Sequence, residues 1–121
     1  MIHRPVLVYP ETAVVVQPVL TPLLAMTALG GRFDSLLFVG LNDGAVPYTL
    51  TLETAEVADA VDADRTWVVT VPAKVGTVVG QGSIFLGPGI VHTLFRVSAQ
   101  STGAAVNARW LMRGMLRPMD R

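Results

Sequence analysis

The fold class of this chain is decided by residues 91–112, VHTLFRVSAQSTGAAVNARWLM. Apolar residues occupy alternate positions on both sides of a polar turn at 100–103. The apolar positions on one strand face before the turn are Val91, Phe95, Val97 and Ala99, and those after it are Ala104, Val106, Ala108, Trp110 and Met112. A period of two is typical of β-strands that bury one face. This stretch therefore predicts two paired antiparallel strands.

Short apolar runs separated by turn residues extend this pattern back to Phe33. Phe33–Val39 is nearly all apolar, which indicates a strand buried on both faces or a central strand of a sandwich. The turn signal Asn42-Asp43-Gly44 predicts that this strand pairs with Tyr48–Leu52 as a hairpin. About seven or eight short strands at such spacing predict an all-β fold, either an antiparallel sandwich or a jelly-roll-like barrel.

The length of 121 residues predicts one domain over 1–121. We expect a β-body over 12–112, with an extended N-terminal arm over 1–10 and an Arg/Met-rich C-terminal tail over 113–121. The N-terminal arm contains two prolines and shows no helical period, and its candidate contact residues are Arg4 and Tyr9.

Residues 22–29 have the start and stop signals of a helix. Thr21 suits an N-cap, Pro22 a first helical position and Gly30 a C-terminal stop. A short helix is the prediction here, and a strand is the alternative. The surrounding apolar run, Thr12–Gly31, contains Pro18 and Pro22, and these prolines argue against a membrane-spanning helix.

The composition disfavours catalysis and metal binding, and it favours contact with other proteins. The chain has no Cys, two His and a net charge of zero, so we expect no disulfide, no thiolate metal site and no general attraction for nucleic acid. Only 15% of its residues are charged and its mean hydropathy is +0.52. These values indicate more apolar surface than one small core absorbs, and they predict an oligomer.

Five of the nine acidic residues fall within twelve positions that hold no basic residue: Glu53, Glu56, Asp59, Asp62 and Asp64. The spacing lacks the glycine of a calcium-binding loop, so we assign no metal site there. We expect a solvated acidic face or one that meets a basic neighbour.

Four arginines recur every four residues near the C-terminus: Arg109, Arg113, Arg117 and Arg121. This spacing would align them on a helix, although Gly114 and Pro118 oppose one continuous helix. Met115 and Met119 lie among them, and adaptable apolar groups beside guanidinium donors suit docking on a protein surface. Nucleic acid is the weaker alternative, because no aromatic residue follows Trp110 to stack on bases.

Charge is therefore segregated into an acidic segment and a basic tail. Opposite patches on copies of one chain predict head-to-tail contacts, which close rings or extend lattices. The alternative is that the two patches pair within one subunit.

The chain resembles the small structural proteins of tailed-phage virions. The resemblance lies in the arm Met1–Pro10, the strand-and-turn body and the ending Val91–Ala99, Ser101-Thr102-Gly103, Ala104–Met112. It implies a non-enzymatic, capsid-associated or decoration-type protein that acts without a cofactor. It also implies a homo-oligomer, a trimer or a larger ring, bound to a larger protein shell in a virion assembled in the host cytoplasm.

The alternative function is a ligand- or carbohydrate-binding β-module. Four aromatic residues would supply its stacking platforms if they were exposed and coplanar: Tyr9, Tyr48, Trp67 and Trp110. An enzyme is disfavoured because the nucleophile motif G-x-S-x-G is absent. Gly80-Gln81-Gly82 resembles the start of a phosphate-binding loop, but its spacing fits turns between strands better.

Overall fold

The computed structural model describes residues 5–28, 33–55, 65–87 and 94–116. Within these ranges the regular structure consists of strands: β1 (Pro5–Val16), β2 (Thr21–Ala28), β3 (Phe33–Asn42), β4 (Tyr48–Ala55), β5 (Arg65–Val71), β6 (Gly80–Leu86), β7 (Leu94–Ser101) and β8 (Val106–Leu116).

The strands form two antiparallel four-stranded sheets. Sheet I has the order β1-β8-β3-β6, and sheet II has the order β2-β7-β4-β5. This is the strand order of a jelly roll, an eight-stranded arrangement of two Greek keys. The two sheets stack as a sandwich and do not close into a barrel, so the all-β sandwich prediction is confirmed.

Both predicted hairpins are wrong, although the inward face of β4 and most of the inward positions of β7 and β8 were predicted correctly. Ala104, predicted on the buried face, is exposed, and Val91 lies outside the described residues. Strand β3 pairs with β6 and β8, whereas β4 pairs with β5 and β7 in the other sheet. Likewise β7 and β8 lie in different sheets. In each case consecutive strands face each other across the core. A period of two specifies which face of a strand is buried, and it does not specify which strand pairs with it.

The turn after β3 crosses from one sheet to the other around a buried amide. Asn42 has no exposed surface. Its Nδ2 donates to the Val46 carbonyl at 2.8 Å, and its Oδ1 accepts the Gly44 N–H at 2.8 Å. The Asp43 N–H donates to the Asn107 carbonyl at 3.0 Å, which ties this crossing to the start of β8.

The helix predicted for 22–29 is wrong over the described residues 22–28, which belong to β2. Strand β2 pairs with β7 from Thr21↔Ala99 to Ala28↔Leu94. The Thr21 hydroxyl donates to the Val19 carbonyl at 2.9 Å and accepts the Gln17 N–H at 3.0 Å, so it closes a turn. Since β2 is an edge strand, it tolerates the missing N–H of Pro22.

The predicted N-terminal arm is also a strand over its described part. Residues 5–10 belong to β1, which pairs with β8 from Pro5↔Met115 to Val16↔Val106 with two register shifts. Residues 113–116 of the predicted tail belong to β8. The apolar side chains of Val6 and Val8 pack against the core, which explains why this segment docks. Residues 1–4 and 117–121 lie outside the described residues.

The core lies between the inner faces of the two sheets, with aromatic rings near its centre. Phe38 is fully buried and Trp110 is 6% exposed, with their rings stacked at a centroid distance of 5.2 Å. The segment Gly80-Gln81-Gly82 begins β6 and forms no phosphate loop. A Cβ at Gly80 would overlap the carbonyl oxygen of Pro72, so glycine there permits close approach of two backbones.

Candidate assembly surface

The described residues hold little that could carry out a reaction. They contain no group of three or more His, Cys, Asp or Glu side chains placed to hold a metal ion. The hydroxyl of Tyr48 is buried and donates to the Leu41 carbonyl at 3.1 Å. Burial raises the pKa of Tyr48 well above its usual range, so the phenol stays protonated.

A search of the described ranges for a helix of membrane-spanning length and hydropathy finds none.

The outer face of sheet II is mainly polar. Thr49, Thr51 and Glu53 of β4 point outward, and their neighbours on the adjoining strands are polar except for Val68, which pairs with Thr51. Glu53 accepts a hydrogen bond from the Arg96 Nε at 2.9 Å, and this interaction raises the pKa of Arg96. The face is typical of a solvated side of a sandwich.

The outer face of sheet I is different, because one row of neighbours across all four strands is apolar except for one arginine. The row runs from Leu7 on β1 through Arg113 on β8 and Leu37 on β3 to Phe85 on β6. Leu7 is 57% exposed and Phe85 is 61% exposed. We define the apolar face as this row together with Val39, Leu111 and Met115.

The adjoining rows continue the apolar face along the strands. Leu111 pairs with Val39, and Met115 pairs with Ser35. A surface depression between β3, β6 and β8 is lined by Ser35, Leu37, Phe85, Arg113, Gly114 and Met115. Val39 is only 8% exposed and Leu37, Leu111 and Met115 are half-buried, so Leu7 and Phe85 are the most exposed apolar residues of this face. An apolar surface patch of this kind is typical of an interaction site.

A cluster of three charged side chains lies at one end of the apolar face. Arg109 forms two hydrogen bonds with the Asp43 carboxylate, at 2.8 and 2.7 Å, and its Nη1 donates to Glu11 at 2.9 Å. The Arg109 guanidinium lowers the pKa of Asp43. The charges of these three side chains sum to −1, and the nearby Lys74 ammonium also lowers the pKa of Asp43.

Arg113 lies within the apolar face, between Leu7 and Leu37, on the opposite side of Leu111 from Arg109. Its side chain is exposed and has no hydrogen-bond or ion-pair partner among the residues that the structure describes. Residues four apart share one face of a strand, just as they do on a helix. The four-residue spacing of Arg109 and Arg113 therefore reflects β8, in agreement with the expectation that Gly114 and Pro118 oppose one continuous helix.

The predicted contact residues divide into three groups. Arg113 and Met115 lie on the apolar face, and Arg109 lies at its end. Tyr9 is half-buried with its ring 5.8 Å from that of Trp110, while Glu53 pairs with Arg96 on sheet II. The remaining predicted residues lie outside the described ranges: Arg4, Glu56, Asp59, Asp62, Asp64, Arg117, Met119 and Arg121.

The sequence reasoning missed Leu7, Leu37, Phe85 and Leu111 as surface residues. The signal was present in Phe33–Val39, whose apolar run was interpreted as a strand buried on both faces or a central strand of a sandwich. The second alternative is confirmed, because β3 lies between β8 and β6 in sheet I. In a two-layer sandwich only one face of a strand meets the core, so an all-apolar strand must also present apolar side chains outward.

The aromatic residues proposed as a stacking platform do not form one. Tyr48 and Trp110 are buried in the core, and Trp67 and Tyr9 pack against it from partly buried positions. The geometry expected of a carbohydrate-binding module is therefore not found among these four side chains.

No protein-family model matches the chain, and no curated protein sequence matches it. Among solved structures, the chain is similar to one described as Bacillus endospore appendages that form a novel family of disulfide-linked pili. The two chains share 17% identity at a TM-score of 0.52, with 97% of this chain and 93% of the other covered. This likeness shows a shared fold.

Proposed function

We propose that this chain is a non-enzymatic structural subunit that assembles with copies of itself or into a larger protein shell. The observation that carries the proposal is the apolar face of sheet I. Its exposed Leu7 and Phe85 side chains lie in register across the sheet, where a solvated sandwich would place polar residues. Covering this face removes apolar surface from water, which drives association.

The similarity in fold to an appendage subunit supports the proposal, since that protein assembles into pili. The linkage would differ, because the 121 residues contain no Cys and disulfide bonds between subunits are not available to them. The contacts would instead be apolar and ionic, consistent with the low charged fraction of 15%.

The finer proposal is that the assembly belongs to a tailed-phage virion, where the subunit would form a trimer or a larger ring on the head. The resemblance of the chain to small virion proteins supports this placement, whereas the fold neighbour favours a fibre. Mass spectrometry of purified particles distinguishes a virion protein from a fibre subunit. Recovery with nuclease-resistant DNA supports the virion, and recovery with DNA-free filaments contradicts it.

Light scattering of the purified full chain tests the assembly itself. We expect a molar mass that is a multiple of the 12.9 kDa chain and that falls on dilution. A species that remains monomeric at every concentration, and that binds no purified shell, contradicts the proposal.

A further inference from the structure

We infer that a second copy of this chain covers the apolar face, packed face to face about a two-fold axis. The axis crosses the four strands of sheet I at the row that contains Leu111 and Val39. This inference rests on the proposed function, and it identifies one contact within the assembly.

The charged side chains on the two sides of the Leu111 row are arranged for this symmetry. Along β8, Arg109 and Arg113 lie two residues on either side of Leu111. A two-fold axis through the Leu111 row reverses the strands and places each end of one copy over the opposite end of the other. Arg113 of each copy then lies over the Arg109 cluster of its partner.

This placement sets the +1 charge of Arg113 against the −1 sum of Arg109, Asp43 and Glu11 at two related positions. Lys74, which lies near Asp43, offsets part of that negative charge. The Arg113 guanidinium lacks a carboxylate among the described residues of its own chain. Arg109 already forms two hydrogen bonds with Asp43, so Glu11 is the carboxylate with spare acceptor capacity. The Arg113 guanidinium of the second copy would donate to Glu11, while Arg109 keeps its two hydrogen bonds with Asp43.

Some of the apolar side chains also find apolar neighbours under the same operation. The Arg109 row runs from Ala13 on β1 through Arg109 on β8 and Leu41 on β3 to Gln81 on β6. Rotation about the axis places Leu37 over Leu41 and Leu7 over Ala13, whereas Phe85 lies over Gln81. Leu111 of one copy lies over Leu111 of the other at the axis. Facing rows of two twisted sheets are best aligned at the axis and diverge away from it.

The area of one sheet face suits a dimer contact. The strands of sheet I run from 7 to 12 residues. At about 3.3 Å per residue and about 4.8 Å between strands, the four strands cover about 600 Å². Two such faces bury about 1,200 Å², which is at the lower end of the range for stable interfaces.

The principal test uses the absence of cysteine in the chain, since one substitution introduces a unique thiol. Leu111→Cys places two thiols opposite each other across the axis. Stacked sheets lie about 10 Å apart, which exceeds the Cα–Cα span of a disulfide, so a short bis-maleimide is the suitable cross-linker. We expect a covalent dimer from the purified full chain.

Val68→Cys is the matched control, because Val68 is 63% exposed on the outer face of sheet II. We expect it to react with a monofunctional maleimide but to give little covalent dimer. Equal cross-linking of both variants would indicate random collision and would overturn the inference. An absence of Leu111→Cys dimer in a sample that still assembles overturns it too, while leaving the proposed function intact.

Charge exchange provides a second, independent test. Arg113→Glu and Glu11→Arg each place like charges opposite each other, and we expect each to weaken the dimer by about tenfold. The double variant restores opposite charges at both related positions and should recover most of the affinity. Additive loss in the double variant would contradict the face-to-face arrangement and favour a head-to-tail contact.

Discussion

Replacing Asn42 by alanine should destabilise the protein more than any other polar-to-alanine change at the crossing between sheets. The Asn42 side chain is fully buried, and it hydrogen-bonds two backbone groups of the turn that it begins. Alanine leaves the Gly44 N–H and the Val46 carbonyl without their partner. It also removes the contact that turns the chain from β3 into β4.

The expected loss in free energy of unfolding follows from the two backbone groups that lose their hydrogen-bond partner. A buried polar group that loses its hydrogen bond costs about 1–3 kcal/mol. Gly44 and Val46 are half-buried, so water reaches them in part and each lies toward the lower end of that range. We therefore expect a loss of about 2–4 kcal/mol, a large share of the 5–15 kcal/mol that holds a typical domain folded.

Urea unfolding followed by tryptophan fluorescence measures this loss. With an m value of about 2 kcal/mol per molar, the midpoint should fall by about 1–2 M. Asn107→Ala is the matched control, because the Asn107 side chain is exposed and its turn contact uses only the backbone carbonyl. We expect the control to stay within about 0.5 kcal/mol of the parent.

Both variants must be compared at one low protein concentration, since self-association raises apparent stability by mass action. A midpoint for Asn42→Ala that equals the midpoint for Asn107→Ala would refute the reasoning. It would mean that water satisfies the Gly44 and Val46 groups as well as the Asn42 amide does.

Three further predictions concern the core, a backbone contact and pH. Trp110→Ala should cost about 3–5 kcal/mol in urea unfolding, and a loss below about 1 kcal/mol would contradict its core position. Gly80→Ala should lower the thermal midpoint by at least several degrees, because its Cβ would overlap the Pro72 carbonyl oxygen; an unchanged midpoint would show that the backbones separate freely. The lowered pKa of Asp43 beside Arg109 contributes stability above the unfolded carboxyl pKa of about 3.9, and this contribution is lost as pH falls through the folded-state value. Asp43→Asn should therefore flatten the fall in stability between about pH 5 and pH 2, and an unchanged slope would contradict the assignment.

The inward faces of the strands could be predicted from the sequence, and their partners could not. Phe95 and Trp110 were expected on buried faces, and both are buried. The strands that carry them were expected to pair, yet they face each other across the sandwich. Alternation is a local property of a strand, whereas pairing depends on how several turns direct the chain.

The apolar face shows the same division between what could be predicted from the sequence and what depends on strand pairing. The four-residue spacing of Arg109 and Arg113 indicated that they share a surface, but it did not show which strands flank them. Only the register of β8 against β1 and β3 shows that Leu7 and Leu37 flank Arg113. Residues that are about thirty to one hundred positions apart in sequence become neighbours through strand pairing, and no local pattern encodes that.

The sequence by itself therefore determined the fold class, the buried faces and the absence of cysteine chemistry. Each of these depends on residue type and on spacing within a few positions. The tertiary structure decided the jelly-roll order, the strand character of residues 5–10 and 22–28, and the arrangement of charge around the apolar face. These features depend on long-range pairing, in which apolar segments such as β1 gain more by docking on a sheet than their local propensities predict.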